Sequence, residues 1–367
     1  MDFKFDIAKL LLEVLMPYIS IIVPAYNPGE HFGNCLRSIA AQTFRDYEVI
    51  VIDDGSSTPI DPVFVSGFDF PRDSAKVVRT DNHGPYAARR KGIAEAYGDY
   101  FMNVDADDEL IGIDALAKIA AALDAAHVDM LLVNASSCED GSAPFVDYSE
   151  LTPGGRSQKV ATIETSAFKN LFAKDYIYNS AWTKVVRREC IDGLSEPFPR
   201  VIMAEDRMLD MDFLPSVRSS AILDEPLYYY RPYEASITHS NYRLEYYLQV
   251  CTVETRVLDW LDAVGFDEES WAENFLCVTC NALLGLFYNT SLLPRELDDA
   301  FDAIRVQEVY GRAASTRAET HLGIYNKMLL RLLDGRSYTL LRALMRARRL
   351  GSRVRSAIRG CRNGDDI

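Results

Sequence analysis

Four apolar runs in the first 110 residues each stop at a polar or turn residue, and two helical runs lie between them. "YISIIVPAYN" (18–27) is β-branched and stops at Pro24 and the Asn27-Pro28-Gly29 turn. "YEVIVIDDGSS" (47–57) ends in two carboxylates and a turn, and "AKVVRT" (75–80) is a shorter strand. "DYFMNVDADDEL" (99–110) reads as a fourth strand that runs out into an acidic cluster. "EHFGNCLRSIAAQTF" (30–44) places Phe32, Cys35, Leu36 and Ile39 at helical spacing. "PYAARRKGIAEAYG" (85–98) is an Ala-rich helix, with Pro85 suited to its first turn and Gly98 to its end. Alternation of this kind predicts an α/β unit with a mostly parallel sheet and right-handed crossovers. Such strands are apolar on both faces because helices cover both. Ligands then bind beyond the carboxyl ends of the strands, where Tyr26, Asp53–Asp54 and Asp105–Asp108 fall.

Farther along, "IDALAKIAAALDAAH" predicts a helix, and "VDMLLVNAS" and "PLYYYRP" predict strands. "SCEDGSAPFVDYSELTPGGRSQ" is loop-like, and the pattern from about 241 to 334 is helical without a repeat. A chain of 367 residues is too long for one simple core. The expected divisions are a lead segment (1–17), two halves of an α/β domain (18–112 and 113–240), a helical region (241–335) and a basic tail (336–367).

The formal net charge of −15 argues against nucleic acid as a partner. The balance is uneven, because residues 336–367 hold nine Arg against two acidic residues. In that tail Leu340, Leu341, Leu344 and Met345 recur at helical spacing among Arg342, Arg346, Arg348, Arg349, Arg353, Arg355 and Arg359. A basic amphipathic helix can lie on an anionic membrane. The alternative is that the stripe packs on the protein's own helices. Seven scattered Cys imply no disulfide framework and fit a reducing cytoplasm. Cys277-x-x-Cys280 sits in the apolar run "WAENFLCVTCNALLGLF", where core packing explains it better than redox or zinc chemistry. The N-terminal segment lacks the n-region and cleavage site of a signal peptide. No stretch reaches the roughly 18 apolar residues of a membrane span. A soluble or peripheral protein is expected.

Asp105, Asp107, Asp108 and Glu109 crowd like charges at one strand end. Two carboxylates one residue apart can share a hard divalent cation, since Mg²⁺ takes one or two protein carboxylates and fills its other positions with water and phosphate oxygens. A sugar diphosphate leaving group needs such charge. No G-x-x-x-x-G-K-[ST], G-x-G-x-x-G or G-x-S-x-G motif occurs, so P-loop, dinucleotide and nucleophile-elbow readings lose their support.

"SIIVPAYNPGEHFGNCLRSIAAQTFRDYEVIVIDDGSS", "NHGPYAARRKGIAEAYGDYFMNVDADD" and "AEDRMLDMDF" together resemble the family 2 glycosyltransferases of the GT-A fold. "NSAWTKVVRREC" and "EPLYYYRPYEASITHS" are similar to bacterial members that build capsule, exopolysaccharide and lipopolysaccharide. The resemblance implies that residues 18–112 bind a nucleotide sugar in a Rossmann-like half, and that 113–240 bind the acceptor. Pro24 and Tyr26 would line the base pocket, with Tyr26 offering a ring for stacking. Asp54 would accept a hydrogen bond from the base, while Asp53 steadies its loop. Arg89 would reach the nucleotide or diphosphate, with Arg90, where the family usually has Asn, and Lys91 as solvated helix charges. Asp105 would approach the ribose or the metal, Asp107 would be the leading metal ligand, and Asp108 would support it. Mn²⁺ or Mg²⁺ is the expected cofactor.

Asp206 would be the general base toward the acceptor hydroxyl, with Glu205 as a negative neighbour that raises its basicity. Trp182 and Lys184 would shape the acceptor side. Arg231, Ser236 and His239 are candidates to close over the diphosphate, and His239 for a third metal ligand. The expected activity is inverting, metal-dependent transfer of a hexosyl or N-acetylhexosaminyl group from a UDP-linked donor. The acceptor would be a saccharide or lipid-linked saccharide in surface polysaccharide synthesis. The alternatives are a nucleotidyltransferase acting on a sugar phosphate and a catalytically silent membrane-associated scaffold. Oligomeric state is left open.

Overall fold

The structure is a computed structural model. It describes residues 16–71, 74–144, 160–163, 180–191, 197–232, 242–289, 291–316 and 318–348, with Tyr148, Phe172 and Gly193. Two compact units emerge. The first comprises residues up to Tyr233 together with Arg256–Val264, and the second comprises Glu234–Thr255 and Gly265 onward.

The first unit begins with β1 (Ile19–Ala25), α1 (Phe32–Ala40), β2 (Tyr47–Asp54), α2 (Pro62–Ser66), β3 (Ala75–Thr80), α3 (Pro85–Ala94) and β4 (Tyr100–Asn103). It continues through β5 (Glu109–Leu110), α4 (Ala115–Ala126), β6 (Met130–Ser136), β7 (Val160–Ile163), β8 (Lys184–Arg187), α5 (Glu205–Phe213) and β9 (Ser220–Tyr229). The sheet runs β3-β2-β1-β4-β8-β6-β9-β5, with β7 also on β9. The half from β3 through β4 is wholly parallel. Beyond it β8 enters antiparallel to both β4 and β6, and β6 and β9 are parallel.

Alternation along the strands separates two cores. Ile19, Ile21, Val23, Val49, Val51 and Met102 face α1 and α4, whereas Ile50 and Ile52 face α3 through Ala88. Helix α3 lies so close to β1 that a Cβ at Gly92 would collide with the Ile22 side chain. Glycine is weak in a helix interior, and here close packing outweighs that weakness.

The predicted fourth strand is corrected. β4 stops at Asn103, and the Asp108 N–H closes a turn on the Asp105 carbonyl at 3.0 Å. Glu109 and Leu110 then start a separate strand, antiparallel to Tyr229 and Tyr228 of β9. The acidic residues form the turn because two strands of opposite partnership cannot continue one another.

Within the second unit, α7 (Glu268–Tyr288) buries Trp271, Phe275, Leu276, Leu283 and Leu286. Around it lie the first half of α6 (Leu244–Val264), α8 (Pro294–Arg305), α9 (Glu308–Ser315), α10 (Ile324–Asp334) and a helix over residues 338–348. Asp267 caps α7 by accepting from the Ser270 N–H at 3.2 Å. Cys280 is buried in this helix cluster and Cys277 half-buried, and neither is in a disulfide. Leu341 and Met345 are also buried here, Arg342 pairs with Asp298, and Tyr338 donates to Asp302 at 2.6 Å. Those two apolar side chains are therefore not available to a membrane, which corrects half of the expected stripe. Residues 349–367, with Arg349, Arg353, Arg355 and Arg359, lie outside the described residues, as does the lead segment to residue 15. No described helix is long and apolar enough to cross a membrane.

Candidate active site

Three strand ends of the first unit converge with the start of α5. At the end of β1, Asn27 takes a left-handed backbone (φ 46°), which Asn tolerates better than most residues. Its side-chain oxygen accepts from the Ser57 N–H at 2.8 Å, stitching β1 to the loop after β2. Beside it Tyr26 is 57% exposed, so its ring is open to a stacking partner. Pro24 is half-buried.

The two carboxylates ending β2 do different work. Asp53 accepts from the Ser56 and Ile60 N–H groups and from Arg79. Burial works against its charge, but these donors hold its pKa below the ordinary value. Asp54 accepts from the N–H of His83 at one oxygen and of Gly84 at the other, both at 2.9 Å. It thereby tethers the residues immediately before α3. A hydrogen bond from a base would have to share an oxygen already occupied.

Arg89 of α3 is 4% exposed and bridges the two sides of the site. Its guanidinium lies 2.9 Å from Asp105, 2.9 Å from Asp206 and 3.8 Å from Glu205. Burial opposes its charge, yet Asp206, Asp105 and Glu205 together keep it firmly protonated. Arg90 is not a solvated helix charge. It is buried, pairs with Asp212 of α5 at 2.9 Å and donates to the Gly193 carbonyl. Asp212 also binds Tyr86 at 2.9 Å and Arg256 at 2.7 Å. Only Lys91 stays near the surface, paired with Glu95 at 3.1 Å.

The acidic turn is held by aromatic and basic groups from β9. Tyr228 donates to Asp108 at 2.7 Å and accepts from the Asp105 N–H at 3.1 Å. The Arg231 N–H donates to the other Asp108 oxygen at 2.8 Å, and its guanidinium engages Glu109. Trp182 stacks on Tyr228 with ring centroids 4.9 Å apart, and on Tyr230 at 5.8 Å. Asp107 differs from its neighbours. It is exposed, and its carboxylate has no ion pair or side-chain hydrogen bond among the described residues. Desolvation, then repulsion from Asp105, raises its pKa. The same two causes push Asp108 up to about 8. No cluster of three metal-ligating side chains occurs among the described residues. Ser236 and His239 lie outside them.

Helix α5 opens from Ala204 in a left-handed conformation (φ 57°), an uncommon backbone for alanine. Glu205 and Asp206 follow at once. Desolvation and repulsion from Asp206 push Glu205 up to about 8, against the pull of Arg89. Desolvation also raises Asp206, with Asp105 adding to it and Arg89 and Lys184 opposing. A carboxyl that resists ionisation beside a fixed cation suits a proton acceptor.

Comparison with known proteins decides the family. The glycosyl transferase family 2 model matches residues 20–191. A glycosyltransferase of Haemophilus influenzae is 30% identical over 207 residues, 56% of this chain and 76% of that protein. The chain belongs to glycosyl transferase family 2. It is similar to the poly(ribitol-phosphate) beta-N-acetylglucosaminyltransferase TarS of Staphylococcus aureus, at 26% identity over 59% of this chain and 35% of TarS. It is 25% identical to EpsH of Bacillus subtilis over 60% of this chain and 62% of EpsH, so it matches less than two thirds of either relative. The crystal structure of TarS 1–349 in complex with UDP-GlcNAc superposes with a TM-score of 0.63 at 20% identity, covering 91% of this chain and 92% of that one. That likeness shows the shared GT-A fold.

Sequence reasoning missed Tyr228 and Asp210. Three consecutive tyrosines gave no means of choosing the inward one until the β9 register was known. Asp210 is a fully buried carboxylate one turn beyond Asp206 that pairs with Lys184.

A carboxyl whose native pKa is raised binds its proton more tightly folded than unfolded. Its stabilising contribution is present at low pH and is lost as pH rises through the native value. Glu205, Asp108 and Asp210, all near 8, therefore make the metal-free protein lose thermal stability between about pH 5 and pH 8. Glu205→Gln removes one of these three titrations, and a melting-temperature scan against pH should show a shallower decline. An unchanged slope in that variant would contradict the Glu205 assignment.

Proposed function

We propose that this glycosyltransferase inverts the configuration at the anomeric carbon and moves a sugar from a UDP-linked donor to a saccharide or lipid-linked saccharide acceptor in the cytoplasm. The observation that carries the reading is the junction at Arg89, which brings the donor-side carboxylate Asp105 and the Glu205–Asp206 pair together. UDP-GlcNAc in the TarS complex supports a UDP-linked hexosaminyl donor, and the bacterial relatives support a surface polysaccharide product.

In this reading the base stacks on Tyr26 beside Pro24, and Asp54 holds the loop that completes that pocket. Asp105, fixed by Arg89, faces the ribose. Asp107 fits a divalent cation because it is an exposed carboxylate with no ion pair or side-chain hydrogen bond among the described residues. With so few protein ligands, the remaining positions fall to water and the donor's own phosphates. A bound Mn²⁺ or Mg²⁺ would supply positive charge to the departing diphosphate. Asp108, engaged at both oxygens, positions the turn.

Asp206 takes the proton from the acceptor hydroxyl. The acceptor oxygen bonds to the anomeric carbon from the face opposite the diphosphate, and the carbon–oxygen bond to the diphosphate breaks as that group leaves with the electron pair. One displacement inverts the configuration without a covalent enzyme intermediate. Nucleotidyl transfer would leave the Glu205–Asp206 pair without a task, and a silent scaffold would release no nucleoside diphosphate from any donor.

Asp107→Ala should lower donor turnover at least about 100-fold, on the scale of losing one stabiliser of transition-state charge. Its melting temperature should hold, since the turn loses a repelling charge. Full activity of the wild type in EDTA would sink the metal assignment.

Asp206→Asn keeps the shape and removes the basicity. Transfer should fall by roughly 10²–10⁴-fold, with donor affinity by calorimetry little changed. Proton NMR of the wild-type product should show the opposite anomer to the donor. Retention of configuration, or collapse of donor affinity in Asp206→Asn, would overturn the role given to Asp206.

A further inference from the structure

Lys184 is 1% exposed, and Asp210, its partner at 3.2 Å, is fully buried. Buried ion pairs are costly, and well-packed apolar residues often do as well or better for stability. Apolar side chains also line this side of the sheet. Strand alternation puts Val185 in one core beside Met102, so Lys184 and Val186 face the opposite side with Phe101. Phe213 of α5 packs on Phe101 there, with ring centroids 6.2 Å apart. A lysine at such a place calls for a reason besides stability.

Its contacts supply one. The Lys184 ammonium donates to the Ser180 carbonyl at 3.0 Å, closing the turn Ala181–Thr183 from below. That turn packs against α5, whose first turn carries Asp206. On the other side Lys184 holds Asp210, which lies on α5 four residues after Asp206. Positions four apart share a helix face, so Asp210 and Asp206 both look toward the Lys184 turn. Asp210 Oδ1 has no hydrogen-bond partner among the described residues, so the ammonium is its principal support.

We propose that Lys184 is a positioning residue for the base. By gripping Ser180 and Asp210 together, it fixes the Ala181–Thr183 turn and its own positive charge beside Asp206. This rests on the reading of Asp206 as the base. The charged groups around Asp206 are Arg89 from α3, Asp105 from the acidic turn, Lys184 from β8, and Glu205 and Asp210 from its own helix. Four carboxylates thus surround two cations. Without Lys184 the main charge opposing proton binding at Asp206 would be Arg89, which is shared with Asp105.

The test compares Lys184→Met, the neutral pair Lys184→Met with Asp210→Leu, and Asp206→Asn, in the full chain with a UDP-sugar donor and Mn²⁺. Donor KM, kcat against pH and melting temperature are measured. Lys184→Met should lower kcat about 10-fold or more near neutral pH and move the acid limb of kcat upward by about one pH unit, equivalent to about 1.4 kcal/mol. Donor KM should stay within about twofold. The neutral pair should regain the melting temperature while keeping the displaced limb, and it carries the test if the single variant does not fold. A neutral pair that regains the wild-type limb and kcat would overturn the proposal, leaving Lys184 as a counter-charge for Asp210 alone. A limb that stays put in both variants, or a loss confined to donor KM, would do the same. Asp206→Asn separates the two readings. If it leaves kcat and its acid limb intact, the base assignment itself fails, whatever the Lys184 variants show.

Discussion

A buried arginine that must be neutralised organises the first unit. Arg89 leaves water when α3 packs against β1, and a desolvated guanidinium without partners would cost several kcal/mol. Its partners come from two places distant in sequence, Asp105 after β4 and Glu205–Asp206 at the head of α5. Those carboxylates in turn would repel one another without it. The ion cluster therefore fixes where α5 begins relative to the strand ends. Asp54 contributes from behind by tethering His83 and Gly84, and Asp212 does so through Arg90.

The crowding of negative charge in the acidic turn has a division of labour. Asp105 answers to Arg89, Asp108 to Tyr228 and the Arg231 N–H, and Glu109 to the Arg231 side chain. The stack of Trp182 on Tyr228 gives that phenol its place. Asp107 alone is left facing outward and partly desolvated, which is the condition a cation can relieve. The protein holds three carboxylates rigid, and the one that remains is placed by them.

Much of this was legible in the chain. The apolar runs ending in Tyr26, Asp54 and Asp105 placed the strand ends because parallel strands need apolar residues on both faces, and the observed strands are parallel as expected, although their β3-β2-β1-β4 order came only from the structure. Side-chain partnership was not legible. Arg90 and Arg89 are adjacent and identical, and only the packing of α5 shows that both are buried, against different carboxylates. The run 99–110 looked continuous because a turn made of aspartates carries no glycine or proline to mark it. The arginine-rich stripe pointed to a membrane, with the protein's own helices as the alternative. Leu341 and Met345 settle into the second unit because neighbouring helices offer an apolar surface that periodicity does not reveal.

The account stands or falls on Arg89 joining donor and acceptor sides. Steady-state transfer by Arg89→Lys measures this most directly, because lysine keeps the charge but cannot span Asp105 and Asp206 with one planar fork. The account predicts a fall in kcat of about 100-fold or more, with a lowered melting temperature because one buried carboxylate loses its partner. Transfer at the parental rate would show that a point charge suffices and that the bridge is incidental.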